Sequence, residues 1–228
     1  MNAPDVVFYF DFISPYAYVA WNAVHAVAER APSPRRVVAV PILFAALLDA
    51  NGQKGPAEIP SKRTYTFKDA YRKGHRLGLG PLVPPPSHPF NPLVALRVAS
   101  LPRFDGDGGA QRRLIDVLFA TAWRDGKSIE TKSDVAGAAT AAGFDGETLV
   151  REAEAPEAKE RLKSRTAEAL GRGVFGVPTL IVDGEVFWGV DGLDLAEARL
   201  RGEDPVPTDI AWAERPASAI RKGSTAPR

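Results

Sequence analysis

Sulfur chemistry is closed to this chain, which has no cysteine among its 228 residues. Disulfides, thiol nucleophiles, protein-thiol redox couples and thiolate metal sites are therefore excluded. The three histidines, His25, His75 and His88, stand in no His-x-x-x-His or comparable spacing, so no metal site is expected. Hydroxyls and carboxylates remain, or a reactive group brought by a ligand. Among the hydroxyls, Ser14 has the most distinctive setting. In "FDFISPYAY" (residues 10–18) an apolar run breaks at Ser14-Pro15 and a helical pattern follows. Serine is a favoured N-cap, and proline at the first helical position gives up only an N–H that had no partner. A helix start also gathers unpaired N–H groups and partial positive charge, which favours an anion.

Other motifs lead nowhere. "GRGVFG" (residues 171–176) has the lettering of a dinucleotide fingerprint, but that needs a strand before it and a helix after it. Here a helix precedes, and Val177-Pro178 leads into a strand. "DGKS" (residues 125–128) lacks the first glycine of a phosphate loop, because Thr121 holds that position within a helix. There is no Gly-x-Ser-x-Gly elbow. The carboxylates of Asp191 and Asp194 read as surface or capping groups. "KRTYTFKDAYRKGHR" (residues 62–76) mixes bases with aromatics, as some RNA-binding segments do. It reads instead as a solvated helix with its aromatics turned inward, from which one cation can reach a site. "PLVPPPSHPFNP" (residues 81–92) reads as a stiff connector, with a place in the wall of a pocket.

The elements that must position these residues follow from apolar periodicity. "VVFYFDF" (residues 6–12) is a buried strand. After Pro15, Ala17, Ala20, Trp21, Val24 and Ala28 recur at helical spacing, with Tyr18, Asn22, His25 and Glu29 on the other face. "RRVVAVPIL" (residues 35–43) is a second strand, ending near Pro41. From Phe44 to about Gly173 only helical patterns occur. Ile115, Leu118, Phe119, Ala122 and Trp123 form one amphipathic face. Asn91-Pro92 opens another helix by the same cap-then-proline logic as Ser14-Pro15, and residues 156–170 form a charged helix. "PTLIVDGEVFWG" (residues 178–189) is a hairpin turning at Asp183-Gly184. A final helix follows, and the tail from Glu214 onward is expected to fray. The order βαβ, helical block, ββα describes an α/β fold: a thioredoxin-like sheet with a large all-helical insertion. The expected units are residues 1–45 with 172–228, and the helical residues 46–171.

Charge is balanced, 29 basic against 28 acidic residues, so no global field favours nucleic acid. No apolar run is long enough to span a bilayer, and the amino terminus lacks the basic region of a signal peptide. A soluble, cytoplasmic protein without nucleic-acid or membrane partners is expected.

Five segments in this order, "FYFDFISPYAY", "KGPAEIPSKRTYTF", "HPFNPL", "GVFGVPT" and "FWGVDGLDL", resemble the 2-hydroxychromene-2-carboxylate isomerases. These group with the kappa-class glutathione transferases in the DsbA-like branch of the thioredoxin superfamily. The resemblance spans residues 6 to 202. It implies glutathione as cofactor, with Ser14 stabilising its thiolate where redox relatives carry Cys-x-x-Cys. It further implies that Val177-Pro178 is a cis-proline element pairing with the cysteinyl backbone. Lys62 is implied near the glycyl carboxylate, Asp191 at the γ-glutamyl amine, and Asn51 among the glutathione contacts.

The chemistry implied is reversible thiolate addition to an α,β-unsaturated keto acid, so that the double bond can rotate. A small aromatic keto acid is then the substrate, and a homodimer is expected with the family. Three alternatives stay open. The first is a kappa-like glutathione transferase or peroxidase acting on other electrophiles. The second is a non-catalytic glutathione- or peptide-binding module. The third is an adaptor working through residues 81–92 or the tail.

Overall fold

The computed structural model describes residues 5–207 together with Arg215. The tail expected to fray from Glu214 onward lies outside the described residues, Arg215 apart. The chain forms β1 (Val6–Phe10), α1 (Pro15–Glu29), β2 (Val37–Pro41) and α2 (Phe44–Ala50). The helices α3 (Pro60–Arg76), α4 (Leu93–Ala99), α5 (Gly108–Trp123), α6 (Lys132–Ala141), α7 (Gly146–Ala153) and α8 (Pro156–Gly171) follow. The hairpin β3 (Thr179–Val182) and β4 (Glu185–Trp188) leads to α9 (Gly192–Leu200).

The four strands make one sheet in the order β2-β1-β3-β4. β1 runs parallel to β2, with Val6 opposite Val37, as a βαβ crossover through α1 requires. β3 lies antiparallel to β1, with Tyr9 opposite Thr179. The start of β3 therefore meets the end of β1. Asp183 and Gly184 join β3 to β4 at φ 49° and 86°, the positive pair that a tight hairpin twisting with its strands demands.

Alternation along β1 divides the core. Val6, Phe8 and Phe10 face α1 and α5, where Phe10 meets Trp21 of α1 and Phe119 of α5 at ring distances of 6.1 and 5.5 Å. This larger cluster continues through Leu114, Leu118, Val135 and Leu149 of the helical segment. On the opposite face Tyr9 and Ile181 pack with Ile42, Leu47, Val174 and Val177. Each large buried side chain contributes about 1.5–3 kcal/mol, so both faces of the sheet bind their helices firmly.

Three sequence expectations need correction. Tyr18, placed on the outer face of α1, is buried, because α1 packs against α3, α5 and α9 as well as the sheet. Tyr65 and Tyr71 do not turn inward: they are 61% and 48% exposed, and of the α3 aromatics Phe67 alone joins the core. The reason is that α3 approaches through the small residues Ala70 and Gly74, which leaves Tyr65 on the far side of the helix. Asn91-Pro92 does not repeat the arrangement at Ser14-Pro15. Pro92 itself occupies the cap position, α4 starts at Leu93, and Asn91 Oδ1 accepts the Leu93 N–H at 3.1 Å.

Candidate active site

The turn between β1 and α1 is held from every side. Asp11 is buried with no exposed surface, and its two carboxylate oxygens accept the Ile13 N–H at 3.0 Å and the Phe44 N–H at 2.9 Å. The Asp11 carbonyl accepts the Ser14 N–H. The Phe12 carbonyl takes the indole N–H of Trp123 at 2.8 Å, and the Ile13 carbonyl lies 2.9 Å from Nε2 of His88. Burial, partly offset by the hydrogen bonds to Ile13 and Phe44, raises the Asp11 pKa to about 7. Burial lowers the pKa of His88, and because the Ile13 carbonyl can only accept, the ring nitrogen facing it carries a proton. The helical segment thus supplies two side chains that fix the backbone on which Ser14 stands.

Ser14 caps α1 with extended backbone (φ −94°, ψ 116°), and its Oγ accepts the Ala17 N–H at 3.2 Å. The hydroxyl is used as an acceptor, and its own proton remains free to donate. Ser14 is buried but for 7% of its surface, at the positive end of a 15-residue helix.

The segment before β3 comes to the same end of the sheet. The Val177–Pro178 peptide is cis, and the Pro178 carbonyl accepts the Gly189 N–H at 2.9 Å. Among the described residues the Val177 N–H and carbonyl have no hydrogen-bond partner. An unpaired backbone donor and acceptor beside a sheet suit a short extended peptide laid alongside. That is the fit the glutathione expectation requires of this structure. Asp191, at the start of α9, follows β4 into the same region.

The remaining expected contacts stand differently. Asn51 is the exposed C-cap of α2, with its amide donating to the Leu47 carbonyl at 2.8 Å. Lys62 is exposed in the first turn of α3. Neither has a hydrogen bond or ion pair to Ser14, Val177, Pro178 or Asp191. The cation at Asp191 is Lys73, 2.6 Å from its Oδ2 and 3.2 Å from Oδ2 of Asp69. Asp69 also accepts the Tyr16 hydroxyl at 2.9 Å, and the Lys73 ammonium lies 5.3 Å from the centre of the Tyr16 ring. Burial works against the charge on Lys73, but its hydrogen bonds to Asp191 and Asp69 outweigh it and hold the pKa above the ordinary lysine value. Burial, reinforced by Asp69, keeps the Tyr16 phenol protonated.

Sequence reasoning missed Asp11, Tyr16, Asp69, Lys73, His88 and Trp123 as parts of this site. The spacing Asp69-x-x-x-Lys73 is the pattern of a helical ion pair and was a usable signal. Nothing in the sequence linked that pair to Asp191.

No helix among the described residues is long and apolar enough to cross a membrane. Nor do the described residues hold any cluster of three or more His, Asp or Glu side chains suited to a metal ion.

Comparison with known proteins matches residues 5–201 to the DSBA-like thioredoxin domain. The chain is 28% identical over 197 residues to 2-hydroxychromene-2-carboxylate isomerase of Pseudomonas putida, covering 86% of this chain and 93% of that protein. It is 28% identical over 193 residues to glutathione S-transferase kappa 2 of Caenorhabditis elegans, covering 80% and 83%. Among solved structures, a 2-hydroxychromene-2-carboxylate isomerase superposes with a TM-score of 0.76 at 26% identity, covering 86% of this chain and 94% of the other. These relatives carry the names of isomerases and of a kappa-type transferase.

Proposed function

We propose, for a chain that belongs to the DSBA-like thioredoxin domain family, a glutathione-dependent isomerase acting between 2-hydroxychromene-2-carboxylate and trans-o-hydroxybenzylidenepyruvate. The observation that carries this reading is the Ser14 hydroxyl, which accepts from Ala17 and keeps its proton for a ligand at the start of α1. Bound glutathione would supply the nucleophilic sulfur that adds to the enone and leaves again after rotation.

Every other part is played by the chain. Ser14 donates to the sulfur, and the α1 dipole favours its negative charge. The unpaired N–H and carbonyl of Val177, next to Pro178, pair with the cysteinyl backbone. Asp191 faces the γ-glutamyl amine, Lys62 the glycyl carboxylate, and Asn51 adds a polar contact. The reading includes a cytoplasmic homodimer, with residues 1–45 and 172–228 as the thioredoxin-like unit and 46–171 as the helical one.

A second reading, a kappa-like transferase or peroxidase, has support in the C. elegans relative and uses the same Ser14. The deciding experiment follows enone absorbance of the chromene substrate with and without glutathione, using S-methyl glutathione as a control that cannot attack. Turnover that requires the free thiol is expected. Thiol-independent turnover defeats the mechanism, whereas activity confined to halogenated aromatics or peroxides favours the second reading.

A further inference from the structure

The geometry points to Lys73 as a specificity residue: with Asp191 it forms a receptor for the zwitterionic α-amino-acid end of a γ-glutamyl thiol, Lys73 taking the α-carboxylate and Asp191 the α-ammonium. This rests on the glutathione reading above and adds to it the residue that selects the thiol.

Charge and placement both argue for it. Lys73 is shared by two carboxylates, and Asp69, itself held by the Tyr16 hydroxyl, keeps it paired when Asp191 turns to a ligand ammonium. Lys73 is held rather than free: its side chain is 24% exposed, clamped between Asp69, itself 17% exposed, and the Tyr16 ring. Asp191 is 76% exposed, so its carboxylate is open to a ligand while its partner is anchored. Such a pair, with an open carboxylate beside a fixed ammonium, is complementary to an α-ammonium beside an α-carboxylate. The cluster also sits at the right part of the fold. Tyr16 lies two residues beyond Ser14 on α1, and Asp191 two residues beyond Gly189, whose N–H is bonded to Pro178. The receptor for one end of the thiol peptide is thereby tied to both elements that would hold its sulfur and its backbone. Pairing with a charged group at each pole makes the contact selective, since a thiol lacking this end gains neither contact and leaves Lys73 and Asp191 paired with each other.

The test is equilibrium binding of three thiols to the wild-type protein and to Lys73→Met and Lys73→Arg: glutathione, glutathione acetylated on its α-amine, and cysteinylglycine. Wild type is expected to prefer glutathione. Lys73→Met is expected to bind glutathione about 10- to 100-fold more weakly, the range of one charge-assisted hydrogen bond, with cysteinylglycine unchanged. Lys73→Arg keeps the charge and is expected to retain most of the preference. Thiolate absorbance of bound glutathione at saturation should be unaffected by Lys73→Met, because the sulfur is handled by Ser14. Equal glutathione affinity in wild type and Lys73→Met overturns the inference while leaving the glutathione reading intact, as does equal loss for glutathione and cysteinylglycine in both variants. A wild type that binds none of the three thiols overturns the reading and the inference together.

Discussion

Ser14 Oγ lies 3.2 Å from the Ala17 amide and accepts its hydrogen, so one hydroxyl both closes the start of α1 and keeps a proton to donate. Capping and thiolate stabilisation are usually set against each other as explanations of a serine at a helix start. Here they are compatible, because the cap uses an oxygen lone pair and the ligand would use the O–H. The same backbone turn is pinned by Asp11, His88 and Trp123, so the hydroxyl is presented from a rigid base.

Ser14→Ala should therefore show two separable losses. Removing the cap is expected to cost about 0.5–2 kcal/mol of stability, read as a lower urea midpoint. Removing the donor is expected to raise the pKa of bound glutathione back toward the free thiol value near ~8.5, since a hydrogen bond to a charged group supplies about 1.5–3 kcal/mol. Thiolate absorbance of the complex titrated against pH measures this directly. An unchanged titration in Ser14→Ala would remove Ser14 from the proposed mechanism.

Asp11 predicts a pH dependence with a definite sign. Its folded pKa is raised from the ordinary 3.8 to about 7, so the native state holds the proton more tightly than the unfolded chain. The stability this contributes is fully present below the ordinary value and is lost as pH rises through about 7. Compared with Asp11→Asn, which cannot titrate, wild type should lose ground as pH rises from about 4 to about 8. His25, whose pKa burial lowers to about 4, acts in the opposite sense but equally in both proteins, so it cancels in the difference. Urea midpoints for the two proteins across that range make the check, and a constant gap contradicts the assignment.

Phe119 joins the sheet to the helical segment. Its ring meets Phe10 at 5.5 Å, Phe12 at 4.8 Å and Tyr18 at 6.1 Å, and it is fully buried. Phe119→Ala is expected to cost about 3–5 kcal/mol, a cavity penalty of ordinary size for a buried aromatic ring. Because the larger cluster runs through both parts, far- and near-ultraviolet circular dichroism should report one coincident transition at a lowered midpoint. Separate transitions for the two signals would show that the sheet and the helices unfold independently.

The sequence alone determined the local elements and their order. Ser14-Pro15 marked a helix start, Asp183-Gly184 a hairpin, and the β-branched runs their strands, because each signal is a property of a few adjacent residues. The spacing of apolar side chains likewise separated the sheet segments from the helical block. Tertiary structure decided which charge meets which. Lys73 was one base among several in residues 62–76, and its pairing with Asp191, 118 residues away, depends on α3 and α9 both packing against α1. His88 reaches the Ile13 carbonyl across 75 residues for the same reason. Burial was also decided at this level. Periodicity shows which face of a helix is apolar but not how many neighbours cover it, so Tyr18 is enclosed while Tyr65 and Tyr71 are left in water. Asp11 is the sharpest case. The apolar run placed it within a buried strand, but nothing local names the partners a buried carboxylate needs; the amides of Ile13 and Phe44, converging from two segments, make its burial tolerable.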